Sequence, residues 1–290
     1  MNVLSLFDGI SCGHVALERA KIQVNNYFAS EIDKGAIQIA QKNYPDTKQL
    51  DDVNNFNEWN LPKIDLLMGG SPCQDLSIAK KQRKGLSGEK SGLFYKFVEC
   101  LHKFKPKYFL LENNASMPKV DKEKISKMLG VEPILINSSL VSAQNRKRLY
   151  WTNIPNITLP NDKGIKLQEI IESGKVDREK SLCSARRTIG NQGSQSYMRR
   201  RYFGKSFAQM VFEDCEPSEQ REFYKLDPFA EFDTKGRIRA LTIIEMERLQ
   251  TLPDNYTKLD KLSLIKRAEC VGNGWTVDVI AHILKNISEV

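Results

Sequence analysis

Short apolar runs alternate with amphipathic stretches through residues 1–160. Val3 to Phe7, Tyr27 to Ser30, Ile64 to Met68 and Tyr108 to Leu111 are bounded by polar or glycine-bearing turns. Near-continuous apolar runs of this length read as strands buried on both faces. Gln49 to Val53, Pro133 to Asn137 and Leu149 to Asn153 read as further, shorter strands. Between them, His14 to Ala20 and Lys34 to Asn43 read as helices, and Leu93, Phe94, Phe97, Val98 and Leu101 recur at the helical period over Leu93 to Lys103. Strands and helices in alternation build an α/β fold around a mostly parallel sheet. The pattern returns near the end of the chain. Thr242 with Glu245 has the capping-box spacing and opens a helix to about Leu252, before Pro253. A Gly-rich turn at Val271–Val277 leads into a last helix over about Val277 to Asn286.

The middle differs. From Ser181 to Phe212 there is no acidic residue, while Arg186, Arg187, Arg199, Arg200, Arg201 and Lys205 are basic. Tyr197, Tyr202, Phe203 and Phe207 interleave with them, and Gly190, Gly193 and Gly204 loosen the backbone. Sustained periodicity is missing, so a small, loop-rich second domain is expected. The chain then divides into 1–160, 161–237 and a return segment 238–290 that completes the first domain. Arginines among aromatics suit a surface that contacts phosphates and bases; the plainer alternative is a solvated basic face over a small local core.

Composition sharpens this. Lysine and arginine exceed the acids by 44 to 36, a net charge of +8, and the pI is near 9.0, which favours a polyanionic partner with nucleic acid first. The six cysteines have no paired spacing and there are three histidines, so no metal site is expected and the thiols are expected to be reduced, in a cytoplasmic setting. No charged leader precedes a long apolar run, and no window is long and apolar enough to span a membrane.

The candidate chemistry lies at strand ends. Ligands of open α/β sheets bind outside the carboxyl edge. The first strand ends in Asp8-Gly9-Ile10-Ser11-Cys12-Gly13, a turn suited to a nucleotide-like ligand but without the G-x-G-x-x-G spacing, which disfavours a nicotinamide dehydrogenase. After the second strand, Glu31 is placed to hold ribose hydroxyls and Asp33 to cap the next helix. Ile64–Met68 runs into Gly69-Gly70-Ser71-Pro72-Cys73, a tight turn presenting one cysteine. Cys73 is a nucleophile if the chemistry is nucleophilic, and otherwise a buried structural thiol. The basic, glycine-bearing stretch from Ile78 to Gly92 reads as a loop able to close over a polyanion, or as an ordinary solvated loop. Another strand delivers Glu112, and alternation puts Gln144, Arg146 and Arg148 on one face of an extended segment.

Taken in order, Phe7-Asp8-Gly9, Glu31, Asp52-Val53, Pro72-Cys73-Gln74, Glu112-Asn113, Gln144-x-Arg146-x-Arg148, Arg239-x-Leu241-Thr242 and Gly272-Asn273 make the chain resemble the DNA (cytosine-5) methyltransferases across nearly its whole length. The loop after Cys73 and the Gly274-Trp275 pair look most like the eukaryotic de novo branch and its bacterial or phage relatives, and a bacterial or phage source is expected. Three places depart from the usual motifs: Ser11-Cys12 stands where a glycine pair is usual, Glu-Asn-Asn where Glu-Asn-Val is, and Gly-Asn-Gly-Trp where Gly-Asn-Ser is.

The resemblance implies a Rossmann-like S-adenosylmethionine-dependent methyltransferase domain with a small, loop-rich target-recognition domain. It implies methyl transfer to C5 of a flipped-out cytosine in double-stranded DNA, through a covalent adduct of Cys73 with C6. Glu112 would engage N3 and the exocyclic amine, and Arg146 and Arg148 would offset charge, Arg148 being first choice for the base contact. The cofactor residues carried over are Phe7, Asp8, Gly9, Gly13, Glu31, Ile32, Asp52, Val53, Pro72, Leu93, Asn273, Gly274 and Trp275. The DNA-facing residues are Gln74, Ser77, Lys80, Lys81, Arg83, Lys84, Arg186, Arg187, Arg199, Arg200, Arg201, Lys205 and Arg239. Two other readings stand beside this one. A transfer-RNA methyltransferase of the same fold would carry a Cys-Phe-Thr tripeptide, which is absent. A non-enzymatic DNA-binding regulator would lack Cys73, Glu112 or the arginines, which are present. The recognition sequence, the oligomeric state and the biological role, whether restriction-modification, phage self-protection or regulation, do not follow from the sequence.

Overall fold

The computed structural model describes residues 1–72, 92–183, 194–203, 209–227 and 237–287. It divides into two compact units, one made of Met1–Asn137, Lys147–Pro160 and Val277–Val290, the other of Ser138–Arg146 and Asn161–Thr276.

The first unit is built on a seven-stranded sheet in the order β3-β2-β1-β4-β5-β7-β6, with β1 at Asn2–Leu6, β2 at Asn26–Ser30, β3 at Lys48–Gln49, β4 at Leu66–Gly70, β5 at Tyr108–Asn114, β6 at Ile134–Asn137 and β7 at Lys147–Thr152. The first five strands are parallel and β7 runs antiparallel to both its neighbours. Strand order reverses between β1 and β4, the place where open α/β sheets leave a crevice at the carboxyl edge. The central strands are apolar on both faces because helices cover both. Val3, Leu4 and Leu6 on β1, Leu66, Leu67 and Met68 on β4, and Leu110 and Leu111 on β5 are all buried.

Helix α1 (Cys12–Arg19) packs with the C-terminal helix Val277–Leu284, and Arg19 meets Asp278 at 2.6 Å. Helix α2 spans Lys34–Asn43, as its pattern predicts. Helix α3 (Leu93–Phe104) buries Phe94, Phe97 and Val98 of the apolar stripe read from the sequence, together with Cys100, while Leu93 and Leu101 are half-buried. Helix α4 (Lys119–Leu129) is not foreshadowed: it buries little beyond Ile125, Ser126 and Leu129, too thin a stripe to stand out among its lysines. The strand expected over Gln49–Val53 is only two residues long, because Asp51 turns left-handed at φ 56° and Asp52 caps a 3₁₀ turn at Val53–Glu58.

The second unit holds α5 (Leu167–Ile170), α6 (Gln195–Phe203), α7 (Pro217–Leu226), α8 (Ile243–Leu249), α9 (Leu264–Asn273) and an antiparallel pair, β8 (Met210–Glu213) with β9 (Arg237–Ala240). Met198, Tyr202, Met210, Phe212, Cys215 and Ile238 form its small core. The capping box is real: Glu245 N–H donates to Thr242 Oγ1 at 3.1 Å and Thr242 N–H to Glu245 Oε2 at 2.8 Å. The Gly-rich turn expected at Val271–Val277 is mostly helix. Gly272 and Asn273 are the last residues of α9, which Ser263 caps at its start, and Gly274 ends it.

Candidate active site

The β1–α1 turn is wound tightly, with Phe7, Gly9 and Ser11 all left-handed at φ 57°, 60° and 58°. Asp8 faces inward, accepting from Tyr27 Oη at 2.6 Å and Ser11 Oγ at 2.5 Å. Burial pushes its carboxyl above the usual aspartate range, and the hydroxyl donors pull the other way. Gly13 is closely packed: a Cβ there would lie 2.6 Å from Met68 Cε, so the flexible end of that side chain would have to shift.

Glu31, just past β2, cradles backbone amides. Its Oε2 accepts from Gly9 N–H at 2.8 Å, and its Oε1 accepts from Ile32 and Asp33 N–H, each at 2.8 Å. Burial raises its pKa while these amides lower it. Beside it, Ile32 is 69% exposed, a large aliphatic group left in water. Asp33 is the cap of α2, accepting from Gly35 and Ala36 N–H. Asp52 accepts from Asn54 N–H at 2.9 Å, and Val53 is buried in the core. Leu93 opens α3 and packs on that core.

At the neighbouring strand ends, Gly70 pairs with Glu112 across β4 and β5. Asn113, itself buried, donates to Ser71 Oγ at 3.1 Å and to Ser71 C=O at 3.3 Å, fixing the backbone just before Pro72. Cys73, Gln74, Ser77, Lys80, Lys81, Arg83 and Lys84 lie outside the described residues. Arg148 is opposite Asn114, so Glu112 is its diagonal neighbour on β5, and Arg148 Nε meets Glu112 Oε1 at 2.9 Å with both side chains largely buried.

In the second unit, Arg146 donates from Nη2 to the carbonyls of Gly272 (3.2 Å) and Gly274 (3.0 Å), and from Nη1 to Cys183 Sγ at 3.4 Å. Gln250 Nε2 reaches the carbonyls of Val271 and Gly274 at 3.0 and 3.1 Å. Buried Gln144 donates to Leu249 C=O and Gln250 Oε1. The backbone around Asn273 is therefore held by one buried amide, Gln250, which Gln144 backs, and by the Arg146 guanidinium.

The expected nucleic-acid residues divide. Arg199 is fully buried, and Arg239 is paired with both Glu245 and Glu213 at 2.8 Å. Each makes a structural contribution where a phosphate-facing side chain was expected. Arg200 and Arg201 are half-buried on α6. Arg186, Arg187 and Lys205 lie outside the described residues. Sequence reasoning gave no role to Tyr27, and noted Asn113 only within the Glu112-Asn113 motif. Tyr27 looks like any strand aromatic, whereas Asn113 is signalled by its place directly after Glu112. Among the described residues no cluster of His, Cys, Asp or Glu is arranged to hold a metal, and no helix is long and apolar enough to cross a membrane.

The orphan methyltransferase M.SPRI of Bacillus phage SPR is 32% identical over 190 residues, 60% of this chain and 43% of that protein. The type II methyltransferase M.NgoBV of Neisseria gonorrhoeae is 29% identical over 59% of this chain and 46% of its own length, so the chain spans less than half of these relatives. The type II methyltransferase M1.ScrFI of Lactococcus lactis subsp. cremoris is 27% identical over 99% of the chain and 78% of that protein. Among solved structures, the Entamoeba histolytica methyltransferase EhMeth shares the fold, with a TM-score of 0.70 and 16% identity over 99% of this chain and 97% of that one. The family described as C-5 cytosine-specific DNA methylase matches residues 1–289. With that match running from β1 to the C-terminal helix, the chain belongs to the C-5 cytosine-specific DNA methylase family.

Proposed function

We propose that the chain transfers a methyl group from S-adenosylmethionine to C5 of a cytosine flipped out of double-stranded DNA. The observation that carries this is the Glu112–Arg148 pair at the end of β5, one strand away from the turn that leads to Cys73. Cytosine C5 is a weak nucleophile. Addition of the Cys73 thiolate to C6 makes an enamine, and C5 then forms the new carbon–carbon bond as the donor's methyl–sulfur bond breaks. Loss of the C5 proton and expulsion of the thiolate restore the ring. Glu112 hydrogen-bonds N3 and the exocyclic amine, which selects cytosine over thymine. Arg148 orients Glu112 and offsets charge at the base carbonyl.

The residues present fit an adenosyl group. Exposed Ile32 offers an apolar face, Glu31 Oε2 keeps a lone pair for a ribose hydroxyl beside the amide it already accepts, and a Cβ at Gly9 would meet nothing within 4 Å, so the turn is open there. Bound there, the cofactor supplies an electrophilic methyl group on a sulfonium. Phe7 and Asp52 are assigned to the adenine. Residues 161–237 are assigned to target recognition, with Arg200 and Arg201 on phosphates.

The test is trapping. Genomic-type DNA containing 5-fluorocytosine cannot lose a proton from C5, so the Cys73–C6 adduct persists. The expected outcome is a denaturant-stable protein–DNA complex that requires S-adenosylmethionine and disappears in Cys73→Ala. A stable complex undiminished in Cys73→Ala contradicts the mechanism.

A further inference from the structure

The β1–α1 turn contains a conformational problem. Gly9 adopts left-handed backbone freely, but Ser11, at φ 58° and ψ 37°, carries a Cβ that disfavours it. Ser11 is completely buried, and no side-chain bond of its own caps α1. Its hydroxyl goes instead to Asp8 Oδ2 at 2.5 Å, and Asp8 Oδ1 takes the Tyr27 hydroxyl at 2.6 Å. Tyr27 itself is confined, 3% exposed, stacked on His14 at 4.4 Å and 3.2 Å from where a Cβ on Gly13 would sit. A chain of bonds thus runs from a fixed strand residue, through a buried carboxyl, to the strained residue at the head of α1. The same turn offers the Gly9 N–H to Glu31 at 2.8 Å.

We infer that Tyr27 and Asp8 are positioning residues: through Ser11 they hold the Phe7–Ser11 turn in the left-handed form that receives the methyl donor. Asp8, grouped by sequence with the cofactor contacts, acts from beneath the turn. This rests on the reading of the site as an S-adenosylmethionine site.

Tyr27→Phe removes the hydroxyl and keeps the ring on His14. The expected result is about tenfold weaker S-adenosylmethionine binding by calorimetry, kcat within about twofold at saturating donor, and at least tenfold faster hydrogen exchange at the Gly9 amide in the ligand-free protein. Adding Ser11→Gly, which needs no support in the left-handed region, restores affinity and protection towards wild type. A positioning role predicts loss and rescue of protection at the Gly9 amide while the slowly exchanging amides of β5 stay as in wild type; a role confined to global stability predicts that protection falls and recovers at both places together. Wild-type affinity and exchange in Tyr27→Phe, or no recovery in the double variant, overturns the inference while leaving the cofactor reading intact. Absence of S-adenosylmethionine binding by the wild-type protein overturns both.

Discussion

Glu112 is held where β5 leaves the sheet, and its partner Arg148 reaches it diagonally from β7 at 2.9 Å. A carboxylate fixed in this way presents its second oxygen in one direction, which a substrate amine and ring nitrogen can use. Glu112→Gln keeps the size of the side chain but loses the charge and the ability to share a proton with N3. The expected outcome is a loss of kcat of about 100-fold or more, the usual scale for removing a positioned acid–base group, with KM for S-adenosylmethionine little changed. Steady-state kinetics with DNA and donor varied separately checks this; unaltered kcat removes Glu112 from the mechanism. Glu112 and Arg148 were both legible as residue types, because each follows or enters an apolar run. Their pairing was not legible, since it depends on β7 lying beside β5, a contact between segments distant in sequence. Tyr27 was hidden for the same reason: only the packed fold brings its hydroxyl under the turn.

At the scale of elements, α1, β2 and the end of α2 meet around His14, whose ring is stacked between Tyr27 at 4.4 Å and Tyr44 at 3.8 Å. Burial lowers its pKa to about 4 from 6.5. Between those values the unfolded chain binds a proton that the folded chain does not. Stability therefore rises with pH across this window: the contribution is complete above about pH 6.5 and is lost as pH falls towards 4. Asp8 and Glu31, whose pKa values are raised, act in the opposite sense, but they are common to wild type and variant. His14→Phe keeps the stack and removes the titration, so its Tm falls less than that of wild type between pH 6.5 and 4. Parallel pH profiles contradict the assignment. The elements best read from sequence were those with an unbroken apolar period, such as α2 and α3. Those misread carry local signals that tertiary context overrides: Gly272 inside α9 reads as a turn but is tolerated at a helix end, and the lysines of α4 obscure its thin buried stripe.

At the scale of the whole molecule, a net charge of +8 and an acid-free stretch over Ser181–Phe212 point to a polyanion, yet charge in the sequence is not charge on the surface. Arg199 is buried and Arg239 is bound between two glutamates, so part of that charge holds the fold. Sequence cannot separate the two uses, because partners such as Glu213 and Glu245 are supplied by other elements. What decides the account is the reaction. The most direct measurement is transfer of a labelled methyl group from S-adenosylmethionine by the purified chain to unmethylated genomic DNA and, in parallel, to transfer RNA, followed by bisulfite sequencing of the DNA. The account predicts label in DNA, at cytosine C5 within one short sequence context. Label confined to transfer RNA, or none in either nucleic acid while DNA is still bound, contradicts it.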